Sequence, residues 1–135
     1  MPDRTDEKAA TVVTVRRRET FDNLQRLDLF TGISDRTAGT RGLSMYKVVM
    51  PPGAAAEPHS HRDYETAIYI LKGRIETRYG DGLKQSTIHE VGDFVFIPAG
   101  VLHQPVNLSA TETAEALVAR NDPSEQENVV PYEAG

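Results

Sequence analysis

The sequence predicts a single all-β domain, a sandwich or barrel of short strands, and three observations carry that reading. Runs of strand length and strand composition recur along the chain: TVVTV (11–15), LSMYKVVM (43–50), TAIYIL (66–71), RIETRY (74–79), FVFI (94–97) and AEALVAR (114–120). Turn chemistry separates them, with PPG at 51–53, GDG at 80–82, GD at 92–93 and PAG at 98–100. The chain has 135 residues, 39% hydrophobic and 26% charged, which is the size and composition of one globular domain around one core.

In order along the chain, residues 1–42 read as an N-terminal arm with the first strands, 43–120 as the body of the barrel and 121–135 as a tail. Residues 1–10 are polar and expected to fray. TVVTV is the first expected strand, and the basic run Arg16-Arg17-Arg18, followed at once by Glu19, reads as its solvated end. ETFDNLQRL (19–27) offers one helical turn or two, with poor apolar spacing. In TAIYIL, Ala67, Tyr69 and Leu71 share one face and Ile68 and Ile70 the other, so both faces are apolar and both need a cover. A second copy of the chain is the expected cover, which makes a homodimer, with exchange of the N-terminal strands as one form of it. No internal repeat, low-complexity tract or dividing linker stands out.

Charge and composition exclude several function classes. A formal charge of −5 argues against a nucleic-acid partner, which needs clustered cationic surface. With no cysteine, disulfides, thiolate catalysis and sulfur-rich metal sites are excluded, and any metal must be held by nitrogen and oxygen. The N-terminus MPDRTDEKAA lacks an apolar signal-peptide core, and no run approaches the ~18 apolar residues of a membrane span. A cytoplasmic protein without membrane partners is expected.

Two of the four histidines stand one residue apart in PHSHRDYE (58–65). Residues two apart on a strand point to one side, so His59 and His61 present imidazoles about 6–7 Å apart along the backbone, and Glu65 has the same parity. Two imidazoles and a carboxylate form a set that suits Fe, Mn, Ni, Co or Zn. A solvated surface turn presents the same residues, and the pair alone leaves both readings open. The segment GDFVFIPAGVLHQPVN, 92–107, adds a strand, a Pro-Ala-Gly turn and then His103 and Asn107.

Together these segments resemble the two motifs of the cupin superfamily. The first, G-x5-H-x-H-x(3,4)-E-x6-G, corresponds to Gly53, His59, His61, Glu65 and Gly73; the second, G-x5-P-x-G-x2-H-x3-N, is met in full by Gly92, Pro98, Gly100, His103 and Asn107. The resemblance covers roughly residues 43–120. It implies a double-stranded β-helix, the jelly-roll barrel, with one divalent transition metal per chain at its mouth, ligated by His59, His61, Glu65 and His103. One departure stands out: seven residues separate Glu65 from Gly73 where the pattern has six, so counting back from the glycine reaches Thr66. Strand parity favours Glu65 as the ligand, with a bulge absorbing the extra residue. The competing register leaves three histidines, completed by Tyr64, Thr66 or water.

The remaining histidine, His89, lies outside both motifs and is read as a surface residue or one standing behind the ligands. Gly53, Gly73, Gly92 and Gly100 fit tight corners, and Asn107 is expected to tie down a loop. Tyr46, Lys47, Arg74, Glu76 and Tyr79 are candidates for the cavity wall. The function implied is an enzyme acting on a small polar organic substrate, of dioxygenase, isomerase, lyase or decarboxylase type. The alternative is a non-catalytic barrel that binds or senses a small molecule or metal.

Overall fold

The computed structural model describes residues 11–16, 27–124 and 129–131. The elements are β1 (Asp28–Ile33), one helical turn α1 (Asp35–Ala38), β2 (Ser44–Met50), β3 (His59–His61), β4 (Thr66–Lys72), β5 (Ile75–Tyr79), β6 (Gln85–His89), β7 (Phe94–Ile97), β8 (His103–Asn107), β9 (Ala114–Arg120) and β10 (Val129–Pro131). They pair antiparallel in two five-stranded sheets, ordered β1-β2-β9-β4-β7 and β10-β3-β8-β5-β6. Apart from the β1–β2 and β5–β6 hairpins, consecutive strands alternate between the sheets, which is the jelly-roll, double-stranded β-helix arrangement that the motifs imply. None of the described helices is long and apolar enough to cross a membrane.

Strand chemistry located β2, β4, β5, β7 and β9 to within a residue or two. It did not find β1, β3, β6, β8 or β10, which are short, polar or interrupted; β8, HQPVN, carries a proline that cannot donate to the ladder. TVVTV requires a correction. Residues 11–16 form no strand, and Val12 is 96% exposed. Strand composition does not hold a segment extended unless a neighbour completes its backbone hydrogen bonds. The expected helical segment 19–27 lies outside the described residues except for Leu27, which is buried.

The two sheets contribute unequally to the interior. The first supplies most of the apolar core, through Leu29, Tyr46, Val48, Met50, Ile70, Ala114, Ala116 and Val118. The second turns Ile75 inward, but also His59, His61, Thr77, His89, His103 and Asn107. Along the barrel axis the character changes from one end to the other. Met50 and Ala114 pair at the apolar end, while Ser44, Arg120, Thr66 and Ile97 form one cross-strand row at the other. The polar end is where the histidines gather.

Two motif residues fix the corners that bring the strands into place. Gly73 adopts φ +82°, and a Cβ there would meet Ala114 Cβ at 3.0 Å and Cα at 3.1 Å, so only glycine fits between β4 and β5. Asn107 closes the far end of β8: its Nδ2 donates to the carbonyls of Met50 (3.0 Å), Pro51 (3.1 Å) and Glu112 (2.8 Å), and its Oδ1 accepts from Ser109 N at 2.9 Å. The loop-tying role expected of Asn107 is thus what the structure shows.

Candidate metal centre

The two motifs meet because β3 and β8 are neighbours. His59 pairs with His103 across the sheet, and the Pro98–Gly100 turn is drawn onto β3 by a bond from Gly100 N to His61 O at 2.9 Å. Within β3 the alternation sends His59 and His61 inward and leaves Ser60 between them partly exposed. The ring centroids of His59 lie 4.9 Å from His61 and 4.4 Å from His103, and His61 and His103 are 5.3 Å apart. One nitrogen from each ring falls within 4.8 Å of the other two, and all three residues are buried. This group could hold a metal ion.

The hydrogen bonds of the rings fit that use. His59 Nδ1 donates to Glu57 O at 2.6 Å, and His103 Nδ1 donates to Val101 O at 2.9 Å. A carbonyl only accepts, so these bonds put the proton on Nδ1 and leave the lone pair on Nε2. His59 Nε2 is buried and finds no hydrogen-bond partner among the described residues. A buried acceptor without a donor is costly, and a cation at that point would satisfy it. Burial pushes the His59 pKa from 6.5 down to about 3, with His103 and Arg120 adding repulsion and the Glu57 bond opposing. His103 is lowered too, chiefly by burial, against the Val101 bond. Burial thus disfavours the protonated form of His59 and His103, and metal ligation requires the neutral ring.

Glu65 does not join them. It is exposed, and its backbone N–H bonds Asn121 Oδ1 at 2.8 Å. The strand parity that favoured it is interrupted by the turn after His61, and β4 begins only at Thr66. Counting back from Gly73 gives the register that the structure adopts: Thr66 is buried and lines the interior beside the three histidines.

Arg120 is the residue that motif reasoning missed. Its side chain is 3% exposed; Nε donates to Thr66 Oγ1 at 3.2 Å and Nη2 to Tyr46 Oη at 2.9 Å. Burial lowers its pKa from 12.5 to about 10, opposed by Asp122, so it is cationic at neutral pH. A signal was present in AEALVAR, where Arg120 falls in phase with Ala114, Ala116 and Val118, the buried face of β9. Tyr46 faces the interior as well. Of the other wall candidates, Lys47 points outward to Glu115 (2.9 Å), Glu76 to Arg78 (2.9 Å), and Arg74 lies exposed near Glu90 (3.6 Å).

Among these residues lies a void of about 50 Å³. A larger cleft of about 390 Å³ opens beside it, between the β6 and β7 edges, and reaches His103. Tyr79, Thr87 and Thr77 line it together with Phe94, Phe96 and Pro98. His89 is also in this wall, buried rather than at the surface, with Nε2 3.0 Å from Thr77 Oγ1 and its pKa lowered by burial against the pull of Asp93.

Comparison with known proteins agrees with this geometry. A germin-like protein, subfamily T member 3 of Arabidopsis thaliana, is 33% identical over 92 residues, spanning 64% of this chain and 39% of that protein. Germin-like protein 3-1 of Oryza sativa subsp. japonica is 26% identical over 99 residues, or 72% and 44%. The chain thus spans about two fifths of the length of these relatives. Among solved structures, a recombinant oxalate oxidase in complex with glycolate superposes with a TM-score of 0.72 at 21% identity, over 92% of this chain and 66% of that one. The polyketide cyclase RemF of Streptomyces resistomycificus gives 0.72 at 21%, over 93% and 88%. At such identities these likenesses speak for the fold. The cupin domain family matches residues 46–120, more than half of the chain, and with the barrel and both motifs in place the chain belongs to the cupins.

Proposed function

We propose that this cupin is a metal-dependent enzyme acting on a small polar organic molecule through one divalent transition metal (Fe, Mn, Ni, Co or Zn) held by His59, His61 and His103. The observation that carries the reading is the convergence of three buried imidazoles, one of them with an Nε2 that no described residue satisfies. Three protein ligands leave positions open for a substrate, which favours catalysis over a closed structural site. When bound, such an ion supplies Lewis acidity toward a substrate oxygen or, for a redox metal, oxygen chemistry of the dioxygenase kind. Isomerase, lyase and decarboxylase chemistry use the Lewis acidity alone.

The chain's own residues supply the remainder. The cleft admits the substrate, and Phe94, Phe96 and Pro98 give one of its walls an apolar character. Tyr79 and His89 are the titratable groups along the cleft besides His103. Because burial keeps His89 neutral, it can accept a proton at neutral pH. Binding without turnover is the competing reading, and the open cleft beside His103 favours the enzyme.

His103→Ala tests the reading at its base. Deleting one imidazole removes little apolar burial, so the variant folds; it should lose metal affinity by tenfold or far more, beyond the about 10–100-fold typical of losing a group that only supports a ligand. Elemental analysis of protein purified without an affinity-tag metal identifies the ion and checks the loss. A folded His103→Ala protein that retained a full equivalent of metal would remove the second motif from the site.

A further inference from the structure

Resting on the metal reading above, we propose that the C-terminal strand β10 is a positioning strap: it holds β3 in the register that aims His59 and His61, so that docking of the tail and uptake of the ion are coupled. The three histidines stand on unequal supports. His103 belongs to β8, which β5 pairs at five positions, from Tyr79 with His103 to Ile75 with Asn107. His59 and His61 belong to β3, which has three residues and pairs with β8 at one position, His59 with His103. The entry to β3 is tied to the same strand, by the Ala55–Val106 bridge and by Ala56 N donating to Pro105 O at 2.9 Å. Past His59, the backbone bond on that side runs from Gly100 N to His61 O, and it comes from a turn rather than a strand.

On its other edge β3 is paired along its whole length, with Val129 opposite His61, Val130 opposite Ser60 and Pro131 opposite His59. Successive residues of a strand turn their N–H and C=O to opposite edges, so the His61 carbonyl that accepts from Gly100 leaves the backbone groups of Ser60 facing Val130. Pro131 then stands where its missing N–H faces away from β3, which suits the edge of a sheet. The tail is anchored before it arrives: Asn121 Oδ1 accepts from Glu65 N at 2.8 Å, and Pro123 O accepts from Asp35 N at 2.8 Å. A three-residue strand held on one side at a single pair opens locally at little cost. Each opening takes two of the three ligands out of aim, and the apparent affinity of the site scales with the fraction of time that it is formed. β10 raises that fraction, and by linkage the ion holds β10 down by the same factor. A strand that merely covers a sheet edge has no such connection to the ion.

The experiment uses the full chain, with Co²⁺ as the probe. In wild type, amide hydrogen exchange of the peptide that contains Val130 is followed by mass spectrometry with and without Co²⁺, and the ion should slow it by about tenfold. Val130→Pro removes the N–H that faces Ser60; it should weaken Co²⁺ binding by about tenfold and alter the visible absorption of bound cobalt, because His59 and His61 are no longer held in aim. Val130→Ala keeps the N–H and should stay within about twofold of wild type in affinity, with the same absorption. Far-UV circular dichroism establishes whether Val130→Pro folds, and if it does not, the exchange comparison in wild type decides the matter. Exchange at Val130 that is indifferent to Co²⁺, or a folded Val130→Pro protein with wild-type Co²⁺ affinity and absorption, would overturn the strap while leaving the metal site intact. Failure of wild type to take up Co²⁺ overturns the metal reading and this one with it.

Discussion

His59 shows how one side chain records the demands of its surroundings. Its ring is fixed by the Glu57 carbonyl, finds no partner at Nε2 among the described residues and is held far below its ordinary pKa by burial. The sign of the pH effect follows. An unfolded chain takes up the proton near pH 6.5, but the folded state refuses it until about pH 3, so the stability due to this residue is complete above pH 6.5 and is lost as the pH falls through that interval. His103, also lowered by burial, acts in the same direction. Metal-free protein should therefore show urea midpoints that fall steadily from pH 7 toward pH 4; a midpoint that stayed level or rose on acidification would contradict the burial of neutral rings. Glu65 supplies the complementary test. Because it is exposed outside the histidine group, Glu65→Gln should leave metal retention within about twofold of wild type, the size of an unimportant surface change.

The strand β8 divides its work between its two ends. His103 at one end faces the candidate metal position, and Asn107 at the other anchors three carbonyls. Asn107→Ala leaves those carbonyls short of a donor and Ser109 N short of an acceptor, and should cost about 3 kcal/mol in denaturant unfolding. Four residues of strand, about 13 Å, separate the two side chains, so metal affinity should be unchanged in the folded variant. A variant that lost metal without losing stability would reverse these assignments. The same element explains a limit of strand prediction: HQPVN has neither alternation nor strand propensity, and it is a strand because β5 and β3 pair with it on its two sides.

For the whole molecule the conspicuous feature is the outer face of the first sheet. Phe96, Ala67, Ala119 and Met45 form one cross-strand row there, and Phe94, Tyr69, Leu117 and Lys47 the next. Phe94 is 85% exposed and Phe96 60%, while Tyr69 packs on Phe94 with ring centroids 4.8 Å apart. We propose that a second copy of the chain covers this face, as the doubly apolar TAIYIL strand led one to expect, and that the exposed residues 11–14 contribute to the pairing. Light scattering should give twice the 14.9 kDa of one chain, and Phe94→Ser with Phe96→Ser should restore the single-chain mass. A wild-type mass of one chain at micromolar concentration would rule the pairing out.

By itself the sequence determined the all-β class, the five strands whose side chains are β-branched or aromatic, the corner glycines and the three histidines, because each of these is written in local residue chemistry and fixed spacing. It also held both registers for the position beside the histidines, Glu65 by parity from His61 and Thr66 by distance from Gly73. Only the tertiary structure chose between them. The turn after His61 resets the alternation before β4 begins, and the corner at Gly73 admits one phase of that strand, with Thr66 inside and Glu65 outside. Arg120 was settled in the same way. Its position on the apolar face of β9 was legible, and Asp122 stands two residues on, but Tyr46 and Thr66, which hold the cation there, come from two other strands and meet it only when the barrel closes.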